Sequence, residues 1–292
     1  MDKAATIKGL RCSLDEISTT MYKIYVEWYV SLRSPLTDIE RMAINMYRMM
    51  IFKAKSICQM SEGVTIIPTQ KGIILDPSTI YPVLRSMYEL LFLFRCIYVS
   101  SRNDVERNIL INLWKIRGNN NLIRILDDEL DVESRNKKKT TKDENKTLRM
   151  KTRELMNQLV LSQSIIDKIE ISFNNSSPTL KGFKFEHCEH CDNITDFSAL
   201  DFSNGNMGIQ LSGVSYIYSH YSAHSHPSSL GVKHFEEMYY NKDEDQFIKE
   251  ILEYTCLYLA HFMKDFCDYK DSYHLFYNQS ANQINNLISK IK

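Results

Sequence analysis

The chain has 292 residues, balanced at 36 Lys plus Arg against 36 Asp plus Glu, with 43% hydrophobic and 11% aromatic residues. That balance excludes a global electrostatic pull toward nucleic acid or anionic membrane, and the apolar content is enough for a real core without a partner. Nine glycines and six prolines are few for the tight turns of a sheet-rich fold, so the composition points to long helices with few connections.

From Ile7 the apolar positions run Leu10, Leu14, Ile17, Met21, Ile24, Trp28 and Leu32 in steps of three and four, which predicts one long amphipathic helix ending before Pro35. Thr37-Asp-Ile-Glu40 reads as a capping box that opens a second helix through Met46, Met50 and Ile57. The two make a helical hairpin, and with a short β-like connector, Gly63–Pro68, they form a first region, 1–75. Asp76-Pro77 then starts a helix over 78–100 that is apolar nearly all round, as a helix at the centre of a bundle would be. Highest burial is expected at Leu84, Leu91 and Phe94, and at Ile217 on a later helix packed against it.

The rest, 76–292, reads as the main helical domain. A helix through Ile109 and Trp114 should stop near Gly118, with a shorter one over Leu122–Leu130. Residues 131–147 contain one aliphatic residue and read as an exposed linker or a polar helix extension. The run Arg135–Arg153 holds nine Lys or Arg beside Asp143 and Glu144, but lacks aromatics to stack on bases, so a solvated segment fits better than a phosphate-binding one. A helix over Leu148–Ile171 leads to an irregular excursion at about 172–206, with a short helix near Ile194–Leu200. Next come a helix over 209–225, a loop over 227–241, an amphipathic helix from Asp243 to Phe266 and a last helix over Ala281–Ile291. The fold class is all-α, a single bundle of long antiparallel helices.

Arg85 and Glu89 lie one turn apart in the apolar helix, where buried charge is costly unless paired. They suit an anion site or a proton-handling pair, with an intrahelical ion pair as the structural alternative. His220, His224 and His226 cluster where the later helix meets Pro227; they suit a general base, a proton relay or metal ligands, against hydrogen-bonded core histidines. Cys188 and Cys191, with His187 and His190 interleaved, have the spacing of a zinc knuckle that His220 and His224 could complete. Zinc on Cys188 and Cys191 is the one cofactor candidate against the reading of no cofactor. A thioredoxin-like role fails for want of a βαβ pattern, and no phosphate-cradling loop, dinucleotide turn or metalloprotease helix is present. The longest apolar run, Leu90–Val99, is interrupted by Arg95 and falls well short of the roughly 20 residues of a membrane span. With no secretory leader read at the N-terminus, the expected location is cytoplasmic, without membrane attachment.

Leu84-Arg-Ser-Met-Tyr-Glu89 and Tyr218-Ser-His-Tyr-Ser-Ala-His-Ser-His-Pro227 together resemble a bacterial domain-of-unknown-function family, number 5677, with its Arg-x-x-x-Glu helix and later Tyr-x-x-x-Ser-x-x-x-His stretch. The matching positions are Arg85, Glu89, Tyr218, Ser222 and His226, within about 75–270. Such proteins look like helical toxin and abortive-infection proteins, some similar to the HEPN class of ribonucleases. The resemblance implies a toxin-like or phage-defence protein, a metal-independent ribonuclease using Arg and His at a helix–helix cleft. Its partners would be RNA or a protein of a defence system, with a homodimer as one form. No Arg here is followed four to six residues later by His, as HEPN nucleases require, so Arg85 would have to meet a histidine in space. A noncatalytic helical binding or sensing module, with structural zinc, is the alternative, and whether the chain is an enzyme stays open.

Overall fold

The computed structural model describes residues 3–31, 35–64, 74–126, 131–174, 182–191, 193–200, 214–225 and 228–269. Among them are nine α-helices and a two-stranded sheet, an all-α helical fold. No described helix is long and apolar enough to cross a membrane. The chain divides into two compact units, one made of Met1–Phe94 with Gly208–Lys292, the other of Arg95–Met207.

The first unit holds α1 (Lys3–Ser31), α2 (Asp38–Met60), α3 (Pro77–Phe94), α7 (Val214–His224), α8 (Ser229–Asn241) and α9 (Glu244–Tyr269). The heptad-like stripe of α1 is its buried face: Leu14, Ile17, Met21, Ile24 and Trp28 all lie in the core. The capping box forms as the sequence predicts, the Thr37 hydroxyl accepting from Glu40 N–H and the Glu40 carboxylate from Thr37 N–H. Both helices of the expected first region, 1–75, fall in the same compact unit as α3. Both α1 and α2 pack on α9, and α2 also on α3, because two amphipathic helices cannot bury both apolar faces on each other. α3 is central, touching α2, α7, α8 and α9, with Leu84, Leu91 and Phe94 fully buried. The Ile217 side chain and the whole of Ala281–Ile291 lie outside the described residues. Of the predicted β-like connector, an isolated bridge between Val64 and Ile74 lies within them.

α8 occupies the stretch that the sequence reading makes a loop, 227–241. Ser228 caps it, accepting from Gly231 N–H, while its own hydroxyl donates to the Ala223 carbonyl at the end of α7. One serine therefore fixes the turn between two helices. Farther along, Tyr239 both accepts from Leu75 N–H and donates to Leu75 C=O at 2.7 Å, which holds α8 beside the start of α3.

The second unit begins with a five-residue π-helical segment, Arg95–Val99, followed by α4 (Asp104–Ile125), α5 (Val132–Met156), α6 (Gln163–Ser172), β1 (Gly182–His187) and β2 (Ile194–Leu200). Three of its elements differ from what the sequence predicts. α4 runs through Gly118 without stopping, carried by the buried Ile109, Leu113 and Ile116. Residues 132–156 form a single helix, so 131–147 is no linker; the polar-extension alternative is the one observed. Ile194–Leu200 is a strand, paired antiparallel with β1, and Phe183, Phe185 and Phe197 gather on its buried side.

Gly118 costs α4 backbone entropy without serving any close approach: a methyl group placed there would meet nothing within 4 Å. Gly118→Ala is expected to stabilise the second unit by about 0.5–1 kcal/mol, read as a higher midpoint in urea at unchanged slope.

Candidate functional site

α3 presents Tyr81, Arg85 and Glu89 at successive turns, a stripe at i, i+4 and i+8, and α7 lies along it. At about 100° per residue, Tyr218 and Ser222 on α7 flank one side of the contact while His220 and His224 flank the other. Tyr221 sits between them, fully buried against Tyr81. The residues that the sequence singled out therefore gather into two groups rather than one.

In the first group, Arg85 uses three different nitrogens on three partners. Nε donates to Glu89 Oε1 at 2.9 Å, Nη1 to Ser222 Oγ at 3.3 Å and Nη2 to the Tyr218 hydroxyl at 2.9 Å. The Tyr218 hydroxyl donates onward to Glu89 Oε1 at 3.2 Å, closing the ring. Burial disfavours the Arg85 charge, but Glu89 and Tyr218 outweigh it, so its pKa is raised. Burial also raises the Tyr218 phenol, and the Glu89 carboxylate adds to this. Lys53 on α2 is half-buried, which pushes its ammonium down, and the Glu89 charge acts on it in the opposite direction. The Glu89 charge thus acts on two cations. The Arg85 and Glu89 side chains remain 20% and 29% exposed, so the cluster is open to a ligand.

In the second group, His224 is 1% exposed and held at both nitrogens. Its Nδ1–H donates to the His220 carbonyl one turn back at 2.7 Å, and its Nε2 lies 2.6 Å from Nδ1 of His234, on α8. His220 Nε2 is 3.1 Å from the Tyr81 hydroxyl. Burial first, and then the neighbouring imidazoles His224 and His234, push the His220 pKa down to about 4. At neutral pH His220 is therefore an uncharged ring, suited to accept or to ligate and unsuited to donate a proton to a leaving group. A cleft of about 340 Å³ opens beside His224 and His234, lined also by Tyr81, Glu237, Asp243 and Glu250. His226 lies outside the described residues.

No family model, curated protein or solved structure matches the chain. What the groups can do has to be argued from their chemistry.

Cys188 and Cys191 sit in the turn between β1 and β2, with both thiols free. The Cys188 N–H donates to Asn193 C=O at 3.0 Å, and Arg102 donates to the carbonyls of Cys188 and Cys191. Backbone N–H groups of the turn, first that of His190, and the Cys191 side chain hold the Cys188 thiol below its ordinary pKa. His187 Nε2 is 3.1 Å from Glu106, with both side chains buried, and His187 does not group with Cys188 and Cys191 as a set of three close ligand atoms. The cysteines belong to the second unit, whereas His220 and His224, with which the sequence reading completes a zinc site, belong to the first.

Sequence reasoning misses Lys53, Tyr81, His234 and Glu106. His234 had a signal, since it follows His224 by ten residues, but a loop reading of 227–241 hid it. Lys53 had none, being one polar position on an amphipathic helix.

Proposed function

We propose that the chain is a toxin-like or phage-defence ribonuclease that cleaves RNA without a metal ion at the reacting atoms, through Glu89, Arg85, Lys53 and Tyr218. The observation that carries this reading is the partly exposed cluster in which Arg85 and Tyr218 both bond Glu89 beside a half-buried Lys53. Transphosphorylation of RNA needs a base for the 2′-hydroxyl, cations for the phosphorane and an acid for the departing 5′-oxygen. Glu89 takes the 2′-proton and the 2′-oxygen attacks phosphorus. Arg85 and Lys53 hold the non-bridging oxygens. The bond from phosphorus to the 5′-oxygen breaks, Tyr218 gives that oxygen its proton, and a 2′,3′-cyclic phosphate is left. The tyrosine replaces histidine in the acid role because His220, the described histidine on the Arg85-facing helix with a resolved shift, is uncharged at neutral pH.

The test is to incubate the purified, chelator-treated chain with single-stranded RNA and with DNA of the same sequence. RNA is expected to be cut to products ending in cyclic phosphate, and DNA, which has no 2′-hydroxyl, to survive. Cutting of both, or cutting that the chelator abolishes, would remove this mechanism. Binding of RNA without cleavage would favour the noncatalytic binding or sensing module.

A further inference from the structure

We infer that His220, His224 and His234 form a binding site for one divalent transition-metal ion of the zinc class, which fastens α7 to α8. A ring nitrogen from each lies within 4.8 Å of the other two, the one such group of His, Cys, Asp and Glu side chains among the described residues. This site is separate from the ribonuclease cluster and its ion takes no part in cleavage.

Three features go beyond proximity. First, the pair His220 and His224 is i, i+4 on one helix, and the third ligand comes from the next helix, whose start is fixed to the end of α7 by Ser228. Second, the outer partners that metal-bound imidazoles use are already in place: His224 Nδ1–H donates to a backbone carbonyl, which leaves Nε2 with the lone pair, and the Tyr81 hydroxyl reaches His220 Nε2. Third, the ligands are borderline-soft nitrogens with no thiolate, the set that suits zinc, cobalt or nickel over magnesium or calcium.

The fit is near but not complete. Nitrogens around a tetrahedral zinc at 2.0–2.1 Å stand about 3.3 Å apart, so the 2.6 Å contact between His224 and His234 has to open and the widest separation has to close. With both rings neutral, His234 donates Nδ1–H to His224 Nε2; moving that proton to its own Nε2 frees Nδ1 for the ion with no net change in protonation. Three imidazoles leave a four-coordinate ion one open position. The cleft at His224 and His234 carries Glu237, Asp243 and Glu250, and the residues lining it include no lysine or arginine, so a dication there meets opposite charge.

The test is a titration of the chelator-treated full chain with Co²⁺, followed by the intense visible bands of four-coordinate cobalt, and with Zn²⁺, followed by elemental analysis after desalting. One equivalent is expected, with a higher melting temperature when zinc is bound. His224 is so buried that its replacement could unfold the helix pair, so the variants are His220→Asn and His234→Gln, checked for unchanged helical circular dichroism. Each should weaken binding by at least about 100-fold, and Tyr81→Phe, which removes an outer partner, by about tenfold. Cys188→Ser should bind as the parent does. No saturable uptake by the parent, undiminished uptake by both histidine variants, or loss of uptake on Cys188→Ser would each overturn the assignment, the last by moving the ion to Cys188 and Cys191.

Discussion

Glu106→Ala is expected to destabilise the second unit by about 3 kcal/mol, the upper end of what leaving buried hydrogen-bond donors without their acceptor costs. Glu106 is 2% exposed and every contact it makes is specific. Oε2 accepts from Arg102 N–H at 2.9 Å, Oε1 accepts from Asn103 Nδ2 at 2.8 Å, and His187 Nε2 stands 3.1 Å from Oε2. The carboxylate also lies in the first turn of α4, where it offsets the positive end of the helix. Alanine would leave the buried His187 ring and a backbone N–H without their acceptor, and would open a cavity. Glu106→Gln keeps one oxygen and should cost about 1 kcal/mol. Trp114 lies on α4, so its fluorescence in a Trp28→Phe background reports this unit during urea unfolding. A loss below about 0.5 kcal/mol for the alanine variant would mean that the pair is a passenger of the β-hairpin and not a support of it.

The helices that were legible in the sequence are those whose buried stripe is apolar. α1, α2 and α9 show their burial directly as a 3.6-residue hydropathy period, α3 shows it by being apolar nearly all round, and Thr37 with Glu40 marks a start in the chemistry of the cap itself. α5 was hidden for a physical reason. Its buried stripe includes Thr141, Asn145, Leu148 and Thr152, spaced as a helix face should be, but three of these are polar: Thr141 and Thr152 donate to carbonyls one turn back, and Asn145 Nδ2 donates to Asn120 at 2.9 Å. Such a stripe carries no hydropathy signal. The β-hairpin was hidden by brevity, since the alternation Phe183, Lys184, Phe185, Glu186 covers only four residues in a stretch otherwise rich in Asn and Ser. At the site, the i, i+4 spacings of Arg85 with Glu89, Tyr218 with Ser222 and His220 with His224 were each readable. Which of them face one another was not, because that depends on which side of α7 meets α3, and Tyr221 settles it by filling the middle of the contact.

Glu89→Gln is expected to reduce RNA cleavage by about 10²–10⁴-fold, the usual contribution of a general base, with helical content and melting temperature close to those of the parent chain. The amide keeps the shape of the carboxylate and an oxygen to accept from Arg85 Nε and the Tyr218 hydroxyl, but it cannot take the 2′-proton. Arg85→Lys should be nearly as damaging, about 10²–10³-fold, for a different reason. The guanidinium reaches Glu89, Ser222 and Tyr218 from three nitrogens at once, whereas an ammonium is one point of charge and cannot hold that fan. Its loss should appear mainly in kcat, because the contact to phosphate strengthens as charge develops there. The two variants also separate chemistry from scaffolding. The cluster is partly exposed, so removing one of its hydrogen bonds should cost about 1 kcal/mol of stability, too little to unfold a chain of this size. His234→Gln, in the imidazole group on the other flank of α7, should leave cleavage as it is. Full activity in both Glu89→Gln and Arg85→Lys would place the reaction elsewhere, while unfolding of both would make the ring of Arg85, Glu89, Tyr218 and Ser222 a strut between α3 and α7.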